Sequence, residues 1–158
     1  MDTLQHLKEH LKGKVIILGI GSTMRRDDAA GSLLAARLKG KVPFEVFDSG
    51  SSPENYLGKI IREKPDNIII IDAVDFGGKP GDYLVFESRD VKTVNLFSTH
   101  NASISLVTDY LQNNLTAGIL ILAIQPASVA FGEDLSQPVS KTLTVLEEWF
   151  YAVVKTEG

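Results

Sequence analysis

The sequence predicts a three-layer α/β/α fold around a twisted, mostly parallel five-stranded sheet with one antiparallel strand. Short, continuous apolar runs such as Val15–Gly19 and Asn67–Ile71 are typical of strands that are buried on both faces. Segments with apolar residues at helical spacing alternate with these runs along the chain. This alternation is the order expected when helices cover both faces of a parallel sheet.

The first half of the chain predicts three strands and three helices. Leu4, Leu7 and Leu11 recur at helical spacing, which indicates an extra N-terminal helix within residues 1–13. The run of isoleucines that ends at Ile71 is expected to form the central strand. In chain order, the elements after the first helix are a strand at 15–19, a helix at 27–38, a strand at 44–47, a helix at 53–62 and a strand at 67–71.

The second half begins with a change of pattern. The link from Asp72 to Tyr83 contains Gly77-Gly78 and Pro80-Gly81 and is too short for a helical crossover, so a strand at 83–86 is predicted to be antiparallel. A helix with Asn101 as its N-cap is expected to follow. Its apolar stripe consists of Ile104, Val107, Tyr110 and Leu111. A strand at 119–124 and a C-terminal amphipathic helix complete the fold.

Composition narrows the classes of function. At about 150 residues per domain, 158 residues predict a single domain, 1–158. No apolar run approaches the roughly 20 residues that span a bilayer, and the N-terminus lacks a signal-peptide pattern, so we expect a cytoplasmic protein without membrane contact. The net charge of −4 does not indicate nucleic-acid binding. The absence of cysteine leaves histidine and carboxylates as the strong metal ligands.

Candidate functional residues follow the predicted strands, because sites in open α/β sheets form beyond the carboxyl ends of the strands. The candidates are the pair Asp27-Asp28, Asp72 and His100. Two carboxylates and an imidazole are a plausible metal triad with open coordination positions. Structural roles are equally compatible with the pattern: Asp27 or Asp28 as a helix N-cap, Asp72 as a turn residue and His100 as a hydrogen-bonding loop residue.

Other sites have weaker support. His6 and His10 are spaced i, i+4 but lack the HExxH arrangement, so a solvated helix face is expected there. A Ser-His-Asp triad lacks the G-x-S-x-G elbow. Nucleotide binding has Gly19-Ile20-Gly21 in its favour. However, Met24 stands at the third glycine position, and two acids at the helix start would repel phosphate.

An ordered set of segments resembles the NiFe-hydrogenase maturation endopeptidases of the HycI and HybD type. The opening loop from Gly19 to Gly31 carries the Asp27-Asp28 turn of that family. The other segments that agree in order are 48–55, 71–75, 80–81, 99–101 and 124–126, and the segments are informative only as an ordered set. The family usually has Asn where this chain has Ser22 and Gly where it has Ala29, and Ala29 requires a negative φ.

The resemblance implies an endopeptidase that removes the C-terminal peptide of a hydrogenase large-subunit precursor after nickel insertion. Its catalytic and metal-contacting residues would be Asp28, Asp72 and His100, with Asp75 as a spare candidate. Nickel would arrive with the substrate, so no tightly bound cofactor is expected, and a monomer is the default. The loop 48–55 would line the substrate cleft. Alternatives are a metallochaperone-like or nucleotide-binding module that does not cut, and a metallohydrolase with resident zinc.

Overall fold

The computed structural model describes residues 3–91 and 101–157. The described elements alternate between strands and helices as the sequence predicts. In chain order they are α1 (Thr3–Glu9), β1 (Val15–Gly19), α2 (Ala30–Leu38), β2 (Glu45–Asp48), α3 (Leu57–Glu63), β3 (Asn67–Ala73), β4 (Tyr83–Glu87), α4 (Asn101–Asn114), β5 (Gly118–Ile124) and α5 (Gln137–Glu157).

The five strands form one sheet in the order β2-β1-β3-β5-β4. Strands β1, β2, β3 and β5 are parallel, and β4 pairs antiparallel with β5. The prediction of a central β3 and an antiparallel β4 is therefore confirmed. Because β2 lies on one side of β1 and β3 on the other, the strand order reverses between β1 and β3. Such a switch point opens a crevice at the carboxyl ends of the strands.

Two hydrophobic cores lie on opposite faces of the sheet. Alternation along β3 sends Ile69 and Ile71 to the core under α1, α2 and α5, and Ile68 and Ile70 to the core under α3 and α4. The largest fully buried side chain is Phe150 of α5, in the first of these cores. Helices therefore cover both faces, which confirms the three-layer architecture.

Several predicted boundaries differ from the structure. The helix predicted at 27–38 begins with a 3₁₀ turn, Arg26–Ala29, and the one at 53–62 begins with a 3₁₀ turn, Pro53–Asn55. The N-terminal helix is shorter than the interval 1–13. Strand β3 extends through Asp72, which pairs with Ala123, so Asp72 lies inside the strand instead of closing it. Strand β3 continues because β5 pairs with Asp72 and Ala73, and local pattern alone does not reveal that partner.

The described helices do not include a candidate membrane span. Within residues 3–91 and 101–157, no helix is both long enough and apolar enough to cross a bilayer.

Candidate active site

Two buried carboxylates line one cleft at the switch point of the sheet. Asp28 lies in the 3₁₀ turn that follows β1, and Asp72 is the penultimate residue of β3. Their exposed fractions are only 6% and 4%. Both line a cleft of about 670 Å³. The structure therefore brings together two of the three side chains that the sequence singles out.

The glycine loop after β1 holds Asp28 in place. The backbone N–H of Ser22 donates to Oδ2 of Asp28 over 3.0 Å. A Cβ at Gly21 would lie 2.1 Å from the carbonyl oxygen of Asp28, so only glycine allows this close approach. The loop thus directs a backbone N–H toward a carboxylate of its own chain, which differs from the phosphate cradle of a nucleotide site.

Both departures from the family pattern fit the local backbone. The hydroxyl of Ser22 accepts a hydrogen bond from the N–H of Met24 at 3.4 Å. Ala29 has φ −71°, which is the negative φ that a residue with a side chain requires there.

Asp72 is the more perturbed member of the carboxylate pair. Burial raises its pKa well above the ordinary value of 3.8, and the nearby charge of Asp28 raises the pKa further. A hydrogen bond with the backbone of Ala73 partly offsets these two effects. Two neighbouring buried carboxylates favour either a proton or a cation between them, because either one relieves their repulsion. By its donor chemistry the pair is suited to hold a cation.

Asp27 has a different environment although it precedes Asp28 directly. Its carboxylate accepts hydrogen bonds from the backbone N–H groups of Ala127, Ser128 and Ser136 and from the hydroxyl of Ser136, at 2.8 to 3.3 Å. Only 1% of Asp27 is exposed. Asp27 therefore fastens the 127–136 loop to the turn after β1. The cap positions of this turn and of α2 are Arg25 and Ala29, so the prediction that Asp27 or Asp28 is an N-cap is wrong.

The walls of the cleft come from the loop after β2 and from helices α3 and α4. The loop contributes Ser51, Pro53 and Glu54, as the sequence analysis predicts for residues 48–55. The remaining wall residues are largely apolar and comprise Ile20, Leu57, Gly58, Leu106, Val107 and Tyr110. The cleft therefore combines largely apolar walls with two buried carboxylates, the composition typical of a ligand site.

Helix α4 contributes two residues to the cleft wall, Leu106 and Tyr110, that the sequence did not indicate as site residues. Leu106 is 71% exposed and Tyr110 is 49% exposed. The sequence places Tyr110 in the apolar stripe with Leu111, but the structure leaves Tyr110 half-exposed at the cleft while Leu111 is fully buried. A large apolar residue next to the stripe, Leu106, was the available signal in the sequence.

The remaining candidates have different outcomes. His100 lies outside the described residues, as does the Asn101 side chain, so the roles predicted for them stay predictions. Helix α4 begins at Asn101, directly after His100 in the chain. Asp75 accepts hydrogen bonds at 3.0 Å from the backbone N–H of Gly77 and from the side-chain amide of Gln125, so it is a turn residue.

His6 and His10 differ from the solvated helix face that the sequence predicts. Both side chains are half-buried, and a ligand atom of each lies within 4.8 Å of the other and of a Glu87 carboxylate oxygen. Among the described residues, this is the group of three side chains that could hold a metal ion.

Comparisons with known proteins agree on one family. The family model described as HycI, hydrogenase maturation protease, matches residues 29–151. The hydrogenase 3 maturation protease of Escherichia coli K12 is 31% identical over 140 residues, which cover 85% of this chain and 89% of that protein. The crystal structure of the NiFe hydrogenase maturation protease HycI from Thermococcus kodakarensis KOD1 is 31% identical, with a TM-score of 0.77 over 95% of this chain and 99% of that chain. The endopeptidase HybD from E. coli, at 21% identity, shares the fold with a TM-score of 0.75 over 92% and 94% of the two chains.

Proposed function

This chain belongs to the hydrogenase maturation protease family, and from that premise we propose that it is the endopeptidase for a NiFe-hydrogenase large-subunit precursor. It removes the C-terminal peptide of the precursor after nickel has been inserted. The observation that carries the proposal is the pair Asp28 and Asp72, both buried and both lining one largely apolar cleft.

The carboxylate pair supplies the affinity for nickel in this proposal. Without a cation, burial and the charge of Asp28 favour the protonated form of Asp72. Nickel that is already held by the precursor relieves this repulsion, and Asp72 releases its proton when the precursor docks. Asp28 and Asp72 then offer oxygen ligands and His100 a nitrogen ligand. The metal would polarise the scissile carbonyl or activate a water molecule.

The apolar walls of the cleft position the peptide. Leu106 and Tyr110 of α4 line the cleft together with Pro53 and Leu57, and this apolar lining suits an extended segment with apolar side chains. Because a precursor without nickel lacks the ion that the two carboxylates bind, its peptide docks weakly and remains uncut. The same two residues therefore provide both catalysis and a checkpoint for nickel insertion.

The test is a processing assay read by mass spectrometry. Purified protein is mixed with a large-subunit precursor that has been prepared with and without nickel. We expect loss of a C-terminal peptide from the nickel-loaded sample alone. The variants Asp28→Asn, Asp72→Asn and His100→Ala should abolish this loss. Asp82→Asn is the matched control, because Asp82 lies at the same edge of the sheet and its carboxylate accepts from the backbone N–H of Lys79 in a turn.

Each alternative gives a distinct result. Cleavage of both precursor samples would overturn the nickel checkpoint while retaining the protease. Precursor binding without release of a peptide would favour a metallochaperone-like module. Full processing by His100→Ala would overturn the triad. We further propose a monomer that acts in the cytoplasm, and light scattering should then give a mass near 17.2 kDa.

A further inference from the structure

A second cluster of metal-ligating side chains lies at the opposite end of the sheet from the cleft. Glu87 pairs with Leu120 near the start of β5, whereas Asp72 pairs with Ala123 near its end. The two clusters also lie on opposite faces. Glu87 follows Val85 at strand spacing toward the core under α1, and Asp72 follows Ile70 toward the core under α3 and α4.

Buried leucines anchor α1 in the core close to His6 and His10. Leu7 is completely buried and Leu11 is 4% exposed, so the helix is anchored in the core beneath it. The helix packs on β4, the edge strand that carries Glu87. His6 lies in α1 and His10 directly follows the helix. At this i, i+4 spacing both side chains project from one face, toward the end of β4.

The ring of His10 is held by a contact with the backbone. Its Nδ1 lies 3.2 Å from the carbonyl oxygen of His6, and a carbonyl only accepts, so Nδ1 carries the proton. The lone pair is then on Nε2, and this backbone bond is the kind that orients a metal-ligating histidine. A Cβ at position 118 would lie 3.3 Å from Cδ2 of the same ring, so Gly118 leaves room for it.

We propose that His6, His10 and Glu87 form a zinc site that clamps α1 to the edge strand of the sheet. Two imidazole nitrogens and one carboxylate oxygen are a ligand set that Zn²⁺ accepts, with water in the fourth position. The ligand atoms lie within 4.8 Å of one another. A tetrahedral site needs about 3.4 Å between ligand atoms, which rotation of the side chains supplies.

One neighbouring group competes for the carboxylate. Nη2 of Arg89 lies 2.5 Å from Oε2 of Glu87, and the Arg89 side chain is 77% exposed. An exposed ion pair of this kind contributes little, so the guanidinium moves into solvent when Zn²⁺ binds. The competition gives the experiment a matched control, because Arg89→Gln removes the competitor and retains the ligand.

The experiment measures Zn²⁺ binding by titration calorimetry on the full chain after treatment with a chelator. The Asp72→Asn background breaks the carboxylate pair of the cleft and so weakens binding there. In that background we expect one equivalent of Zn²⁺ to bind, and His6→Gln, His10→Gln and Glu87→Gln each to weaken it about tenfold or more. Arg89→Gln should bind Zn²⁺ as tightly or more tightly.

Thermal unfolding provides the second measurement. Because the clamp exists only in the folded chain, Zn²⁺ at about 100 times Kd should raise Tm by roughly 5–10 °C. The His10→Gln variant should show almost none of this rise. Unchanged affinity in Glu87→Gln would mean that the histidines bind zinc without the sheet, and would overturn the clamp. Binding without a rise in Tm, or no binding in the Asp72→Asn background, would overturn it as well.

Discussion

Asp27 and Asp28 are adjacent carboxylates with opposite roles, so the same isosteric change should have opposite effects at the two positions. We predict that Asp27→Asn destabilises the fold and that Asp28→Asn removes processing while leaving the fold intact. The contrast follows from their partners. Asp27 accepts four hydrogen bonds from the 127–136 loop, whereas Asp28 lines the cleft and accepts a hydrogen bond from the glycine loop.

The magnitude for Asp27→Asn comes from the donors around the side chain. Asparagine keeps one acceptor oxygen, and its NH₂ group must face either the Ser136 N–H or the donors at the other oxygen. At least one N–H that donates to this buried side chain then loses its acceptor, which costs about 1–3 kcal/mol. The remaining bonds lose the contribution of the ionised acceptor, about 1 kcal/mol in all. We therefore expect a loss of about 2–4 kcal/mol and a fall in Tm of roughly 5–15 °C.

Asp28→Asn leaves the local hydrogen bond possible. The amide oxygen still accepts from the N–H of Ser22, and the charge that raises the pKa of Asp72 is removed. We therefore expect a smaller loss of stability than in Asp27→Asn. Processing of the precursor should nevertheless stop, because one of the two carboxylate ligands is lost.

Urea unfolding of both variants, with the same slope against denaturant, gives the two free energies, and mass spectrometry of the precursor gives the activities. Two results would refute the reasoning. One is a loss below about 1 kcal/mol in Asp27→Asn, which would mean that the loop contacts contribute little. The other is full processing by a stable Asp28→Asn protein.

Three further predictions concern Asp72, α2 and α4. Because the pKa of Asp72 is raised in the folded chain, the stability that neutral Asp72 contributes is complete below pH 3.8 and is lost as pH rises through the folded pKa. Without metal, the stability advantage of Asp72→Asn over the unchanged chain should therefore grow with pH in a series of urea unfolding measurements. A difference that does not depend on pH would contradict this. Gly31→Ala should lower the free energy of unfolding by about 1–3 kcal/mol or more, because the new Cβ would lie 2.1 Å from the Ile71 carbonyl oxygen. Gly58→Ala is the control: its nearest contact is 3.5 Å away, so it should be neutral or stabilising in the same unfolding assay. If the precursor packs on the cleft wall, Leu106→Asp should raise KM about tenfold with little change in kcat or Tm, and an unchanged KM would place the peptide elsewhere.

Much of the architecture could be predicted because it follows from local pattern. The continuous isoleucines of β3 require burial on both faces, and the short glycine-rich link after Asp72 cannot hold a crossover helix, which makes β4 antiparallel. The positions of Asp28 and Asp72 at the carboxyl ends of two predicted strands also pointed to the same side of the sheet. The order of elements and the edge of the sheet that bears the cleft were therefore available from the chain alone.

Only the tertiary structure decided which acid does what. Asp27 and Asp28 are the same residue type in consecutive positions, and their roles separate because the 127–136 loop, about a hundred residues later, supplies donors to the first of them. Glu87 likewise reaches His6 and His10 only because β4 is the edge strand on which α1 packs. Hydrophobic periodicity reports which face of an element is buried, since that is settled by neighbours a few residues away. Which side chain meets which partner depends on contacts between distant segments, and no local spacing in the sequence records them.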